Sequence, residues 1–161
     1  LHLPYCSAVC CLASLKQAGY VRAQYPEAEI TMCYIDVRAP GKLEDFSVKA
    51  QAENNMTMLK GKVAKVTEDP ATGEVTAVVE DVLGGAKRQI VADLIVLATG
   101  MPPAFSGVPG VAYDANGFAA GPAGALPVFA TGCAKKPLDV AATVQDATGV
   151  ALKAVQAMAR S

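Results

Sequence analysis

The sequence predicts an α/β protein: a parallel sheet with flanking helices, plus a small antiparallel β-meander. Three observations predict it. Helical and β-branched runs alternate along the first half of the chain. Two strong turn signals, Asp69-Pro70-Ala71-Thr72-Gly73 and Gly84-Gly85, divide residues 57–92 into three short strands. A run rich in Ala and Val from Asp139 onward reads as one long closing helix.

Residues 6–19 read as the first helix. Ala, Leu, Lys and Gln dominate it, Pro4 stands just before it, and Gly19 supplies the expected stop. Residues 29–37, Glu-Ile-Thr-Met-Cys-Tyr-Ile-Asp-Val, read as a strand of a sheet covered on both faces, because the run is nearly continuously apolar. Pro40-Gly41 breaks the chain. Residues 43–54 then form a second helix with Leu43, Phe46, Val48 and Ala50 as core contacts. Strands follow at 57–67, 74–82 and 87–92, and residues 93–99 look like a further, buried strand. Residues 100–127 hold much of the Gly and Pro and read as a long ordered connection; residues 128–132 read as a short strand. The last helix runs from Asp139, its N-cap, to about Ala159. Val140, Val144, Ala147, Ala151 and Val155 recur along it at near-helical spacing.

Composition excludes several classes. The 161 residues carry a net charge of −1, so no basic surface calls for nucleic acid. The longest apolar runs are far shorter than the roughly 20 residues that span a bilayer, so no direct membrane insertion is expected. No basic stretch precedes an apolar run at the start, so no secretory signal is read there. The first residue is Leu1, and the chain reads as a piece of a longer polypeptide.

Three of the five cysteines, Cys6, Cys10 and Cys11, lie within six residues. Neighbours such as Cys10 and Cys11 pair with each other only under strain, so a disulfide framework does not fit. A reducing cytoplasm and a metal or redox role fit better. On a helix, Cys6 and Cys10 would share a face, with Cys11 about 100° round. The plainer alternative is three small buried thiols. The single histidine, His2, has no Ser or Asp partner at a catalytic spacing. Arg38 reads as a surface residue pairing with Glu44 or Asp45, and Lys135-Lys136 as solvated surface.

Two stretches carry a family resemblance. Residues 92–103, Ala-Asp-Leu-Ile-Val-Leu-Ala-Thr-Gly-Met-Pro-Pro, resemble the Ala-Thr-Gly strand of two-dinucleotide-binding-domain flavoproteins. Residues 128–149 resemble the C-terminal flavin motif of that superfamily, with Cys133 standing where most members have an Asp. The start Tyr5-Cys6-Ser7-Ala8-Val9-Cys10-Cys11, together with Asp36-Val37-Arg38-Ala39 and Gly41-Lys42, resembles the family of heterodisulfide reductase A subunits. The segment from Cys133 to Asp139 fits best the flavoprotein A subunit of the quinone-interacting membrane-bound oxidoreductase complex of sulfate reducers.

The resemblance implies a partial two-dinucleotide-binding-domain flavoprotein fold. Residues 1–99 would be a nucleotide-binding-like domain (βαβ plus meander), and residues 100–161 the C-terminal part of the FAD-binding domain. It implies an electron-transferring oxidoreductase component that relays electrons between partner subunits. Its location would be cytoplasmic, with any membrane association made through those partners. It implies that Cys6, Cys10 and Cys11, with a fourth cysteine from an earlier segment, hold a 4Fe-4S cluster. It implies FAD contacts from Thr99, Gly100, Gly132, Cys133, Pro137, Leu138, Asp139, Val140 and Thr143. No Gly-x-Gly-x-x-Gly loop follows a strand in this chain, so it would supply only part of a flavin site and bind FAD weakly or not at all by itself; with the fourth cysteine elsewhere, it would by itself carry no cluster. Two other readings stand beside this one. A degenerate nucleotide-binding module could serve subunit docking without catalysis, and the chain could come from an NAD(P)H-dependent disulfide reductase, although it has no Cys-x-x-Cys pair.

Overall fold

The computed structural model describes residues 3–53, 56–122 and 127–159. His2, the expected end of the second helix at Asn54, and part of the 100–127 connection therefore lie outside the described residues. The chain divides into two compact units, Cys11–Ala98 and Leu1–Cys10 with Thr99–Ser161.

The unit Cys11–Ala98 is an α/β layer. Helix α1 (Cys10–Gln24) leads to strand β1 (Ile30–Tyr34). A single 3-10 turn at Gly41–Leu43 then runs into helix α2 (Glu44–Ala52). Strands β2 (Met56–Glu68), β3 (Val75–Asp81) and β4 (Ala86–Ala92) complete it. The sheet order is β1-β2-β3-β4. The expectation of a parallel sheet with a separate meander is corrected here. The sheet is mixed because one long strand serves both parts. The first half of β2 pairs parallel with β1, from Ile30↔Met56 to Tyr34↔Lys60, and its second half pairs antiparallel with β3. Gly61 sits at that changeover, where a Cβ would stand 2.6 Å from the Glu80 carbonyl oxygen and 2.9 Å from Val79 Cγ1. Only glycine allows the strands to approach there.

Both predicted turns form, each around an aspartate. Asp69 Oδ1 accepts the Ala71 N–H at 2.8 Å, and Gly73 adopts φ +75°. Asp81 is buried and accepts the Leu83 and Gly84 N–H groups at 3.0 and 2.9 Å, while Arg88 Nε lies 2.7 Å from its other oxygen. The Gly84 N–H, followed by Arg88 and the Leu83 N–H, holds the Asp81 carboxyl below the usual carboxylate range against the opposing effect of burial. The sheet core is Leu59, Ala77 and the fully buried Val79, with Cys33, Ile90 and Ile95 packed on it. Burial pushes the Cys33 thiol up, so Cys33 is a packing residue held protonated.

The helices depart from expectation in three ways. First, α1 starts at Cys10 rather than residue 6, because Ala8 takes the left-handed conformation at φ +58° and interrupts any helix there. Second, α1 continues past Gly19 to Gln24. Leu15, only 1% exposed, anchors its inner face, and Arg22 Nη1 reaches Glu53 at 3.1 Å. That packing outweighs the roughly 1 kcal/mol that an interior glycine costs. Third, α2 buries Ser47 and Ala50, whereas Leu43, Phe46 and Val48 are exposed. Residues 93–99 do not form the predicted buried strand. They have no ladder partner among the described residues, and Leu94, Val96 and Leu97 are 73%, 68% and 66% exposed.

In the other unit, the 100–127 connection contains a hairpin that the sequence does not reveal: β5 (Val111–Tyr113) and β6 (Ala119–Pro122). Asp114 nucleates it, its Oδ1 accepting the Asn116 and Phe118 N–H groups at 2.8 and 2.9 Å. Phe118 is buried against Tyr5, edge to face at 5.5 Å between centroids. Residues 128–132 are not a strand: 128–131 have no regular structure and Gly132 opens a 3-10 turn, Gly132–Ala134. Helix α3 spans Val140–Met158 with Asp139 as N-cap, as predicted. Its covered stripe differs from the predicted one. Val140, Val144, Ala151 and Val155 face outward. The better covered side carries Ala142, Thr143, Asp146, Ala147, Val150 and Ala154, small residues that let the helix sit close to the turn beneath it.

Candidate functional site

Consider first the cysteine-bearing start. Cys6 is exposed and precedes the helix; Cys10 opens α1; all five cysteines are free thiols. The left-handed Ala8 has a local effect: its backbone N–H points at Cys6 Sγ, 3.4 Å away. Cys11 donates a long contact of 3.7 Å to the Asp36 carbonyl oxygen. The expectation that Cys6 and Cys10 share a helical face is corrected, since residues 6–9 are not helical. Among the described residues no three His, Cys, Asp or Glu side chains are grouped to hold a metal ion.

The start of the chain also explains Gly100. At φ +89°, its missing Cβ would lie 2.7 Å from Leu3 Cδ1 and 2.8 Å from Ser7 Oγ. Ser7 is buried and accepts the Met101 N–H at 2.8 Å, and the Tyr5 hydroxyl donates to the Met101 carbonyl oxygen at 3.1 Å. Gly100 is thus required by its own chain. Its neighbour Thr99 is exposed. Arg38 is exposed too, without the predicted ion pair to Glu44 or Asp45 among the described residues.

The second candidate element is the turn before α3. Gly132 adopts φ +59°, and a Cβ there would stand 2.7 Å from Thr143 Cγ2. Turn and helix are therefore in direct contact, and Gly132 is buried. Its carbonyl oxygen accepts the Lys135 and Lys136 N–H groups at 3.0 and 3.2 Å. Its N–H donates to Asp146 Oδ2 at 2.9 Å, the oxygen that also accepts the Thr131 hydroxyl at 3.1 Å. Asp146 Oδ1 lies 2.7 Å from Lys135 Nζ. The Lys135 ammonium, then the Gly132 N–H and the Thr131 hydroxyl, hold the Asp146 carboxyl down at about 2 against partial desolvation. Lys135 is therefore not simple solvated surface. The sequence reading missed Asp146, and the usable signal was an acidic residue on the small-residue side of the helix, two turns from its cap.

Cys133 is exposed, with its thiol donating to the Leu138 carbonyl oxygen at 3.5 Å and standing 3.9 Å from the Thr143 hydroxyl. It borders an apolar groove of about 290 Å³ with Met101, Phe105, Phe118, Ala134 and Pro137. That volume lies at the lower end of ligand-sized pockets. Asp139 Oδ1 accepts the Ala142 N–H at 2.7 Å, and its carbonyl oxygen accepts the Thr143 N–H. The Val140 and Ala141 N–H groups have no acceptor among the described residues, so the start of α3 keeps two donors and the positive end of the helix dipole. The structure brings Gly132, Cys133, Pro137, Leu138, Asp139, Val140 and Thr143 together around this one turn.

No family model matches the chain. Curated relatives do. The A subunit of the ferredoxin:CoB-CoM heterodisulfide reductase of Methanosarcina acetivorans is 36% identical over 93% of this chain and 20% of its own length. One of the CoB–CoM heterodisulfide reductase iron-sulfur A subunits of Methanopyrus kandleri is 32% identical over 97% of this chain and 26% of its own. The A subunit of the H(2):CoB-CoM heterodisulfide,ferredoxin reductase of Methanothermobacter marburgensis is 31% identical over 98% and 26%. The chain is thus similar, over nearly all of its residues, to heterodisulfide reductase A subunits, and spans a fifth to about a quarter of their length.

Proposed function

We propose that this chain is part of an electron-transferring flavoprotein of the heterodisulfide reductase A type, akin to the quinone-linked branch. In it Cys6, Cys10 and Cys11 supply three ligands of a 4Fe-4S cluster, and the turn before α3 holds one end of FAD. Residues 1–99 then act as the nucleotide-binding-like part and residues 100–161 as part of the FAD-binding domain, in a partial two-dinucleotide-binding fold. The observation that carries this reading is three free thiols within six residues, one already accepting an amide hydrogen bond, in a chain similar to a protein named as an iron-sulfur subunit.

The donor set suits the cluster, since thiolates are its ordinary ligands. A fourth ligand would come from outside this stretch. The residues present suit one end of a flavin: an apolar groove for a ring, and two unpartnered N–H groups at the start of α3 toward its electron-rich edge. They do not suit its pyrophosphate, because no glycine-rich loop follows a strand in this chain. When bound, the two groups would pass electrons between partner subunits. The chain's own residues bind and orient: Asp139 caps α3 so that its leading N–H groups stay aligned, Gly132 permits close approach, and the Ala8 N–H orients the Cys6 sulfur by a hydrogen bond. Among the described residues no helix is long and apolar enough to cross a membrane, so attachment to one would run through partners.

The test is cofactor content. The full-length protein, purified without oxygen, should contain FAD, iron and acid-labile sulfide. A colourless preparation free of all three would sink the proposal.

A further inference from the structure

Among the described residues, every hydrogen-bond partner of the Asp146 side chain lies on the turn that precedes its own helix. Oδ2 receives the Gly132 N–H and the Thr131 hydroxyl, and Oδ1 receives Lys135 Nζ. Together with the Lys135 and Lys136 N–H groups on the Gly132 carbonyl oxygen, this satisfies both backbone polar atoms of Gly132. Gly132 itself stands in the left-handed region with no room for a side chain. A turn so placed has little conformational freedom of its own, and the next residue is Cys133, which lines the apolar groove. The carboxylate, about one-fifth exposed, is the point at which α3 grips the turn.

We infer that Asp146 is a positioning residue: it fixes the Thr131–Lys135 turn and so sets where Cys133 and Ala134 line the groove that would take a ligand. This rests on the reading of residues 128–149 as a flavin-holding element. Asp146 touches no ligand in this scheme. It acts through the turn, and its charge is matched by Lys135, which leaves Lys136 as the turn's unpaired cation among the described residues.

The consequence is a separation between two substitutions. Asp146→Asn keeps an oxygen for the Gly132 N–H but loses the ion pair with Lys135. Asp146→Ala loses both. The readouts are the rate at which Cys133 is alkylated by iodoacetamide, followed by peptide mass mapping, and the affinity for FAD. Asp146→Ala should change the alkylation rate severalfold and weaken FAD about tenfold, the loss expected for one charge-assisted hydrogen bond. Asp146→Asn should recover most of both. If folded Asp146→Ala, checked by circular dichroism, matches the wild type in both readouts, the inference is overturned; so it is if Asp146→Asn is no better than Asp146→Ala. Should the alanine variant fail to fold, Asp146→Ser, whose shorter side chain cannot bridge Gly132 and Lys135, takes its place: a Cys133 rate unlike that of the wild type together with unchanged helicity supports the inference, and an unchanged rate overturns it. A wild-type protein that takes no FAD defeats the flavin reading instead, and the alkylation measurement still judges the turn.

Discussion

Asp146 and Gly132 show how one residue can set local geometry. The Asp146 carboxyl titrates at about 2 in the folded chain because of Lys135, the Gly132 N–H and the Thr131 hydroxyl, whereas an unfolded aspartate titrates near the usual 3.8. A lowered folded value means the ionised form favours folding. That contribution is complete above about pH 4 and is lost as pH falls toward 2. Thermal denaturation across this window should therefore show a flatter acid limb for Asp146→Asn than for the wild type, and equal slopes would refute the assignment. At Gly132, alanine meets both the left-handed φ and the Thr143 methyl, 2.7 Å from its Cβ. Gly132→Ala should cost about 2–4 kcal/mol, and adding Thr143→Ser should return the steric share of it, leaving the backbone share of about 1–2 kcal/mol; chemical denaturation of the two variants measures the split. In the sequence Gly132 stood out only as an FAD contact that the resemblance implies. What fills the space beside it was not legible, because Thr143 lies eleven residues away and only the helix packing brings it there.

For whole elements, legibility followed local chemistry. Asp139 was readable as an N-cap because its side chain acts within three residues, and the structure bears it out. Asp139→Ala should lower stability by about 1 kcal/mol in urea denaturation, and a change within error would show that the cap is not used. The turns at Asp69–Gly73 and Gly84-Gly85 were legible for the same reason. Elements whose form depends on distant partners were not. The start of α1 was misplaced because Ala8, an ordinary helix former, sits at φ +58°. Residues 93–99 have the composition of a buried strand yet are exposed, since a strand is defined by its neighbours and none pairs with it among the described residues. The hydrophobic spacing of α3 pointed to Val140, Val144 and Val155, while the closer packing is made by its small and polar side. A helix that must approach a turn closely does so on Ala and Thr rather than on Val.

On the scale of the whole molecule, the composition excluded much, and the mixed four-stranded sheet keeps the α/β class. The candidate site was legible as a list of residues rather than as an arrangement. Cys6, Cys10 and Cys11 stood out by spacing, but the helical face expected to be shared by Cys6 and Cys10 dissolved once α1 began at Cys10. The turn before α3 did gather most of its expected members, and it gathered Asp146 and Lys135 as well. The similarity to heterodisulfide reductase A subunits joins these two features in one chain that covers a fifth to about a quarter of those proteins.

The most direct measurement is electron paramagnetic resonance, with iron and sulfide analysis, on the oxygen-free full-length protein and its Cys6→Ser, Cys10→Ser and Cys11→Ser variants. The proposed ligation predicts at least four irons per chain in the wild type and a reduced cluster signal that is lost or altered in each variant. Wild type and all three variants alike in iron content and signal would contradict it.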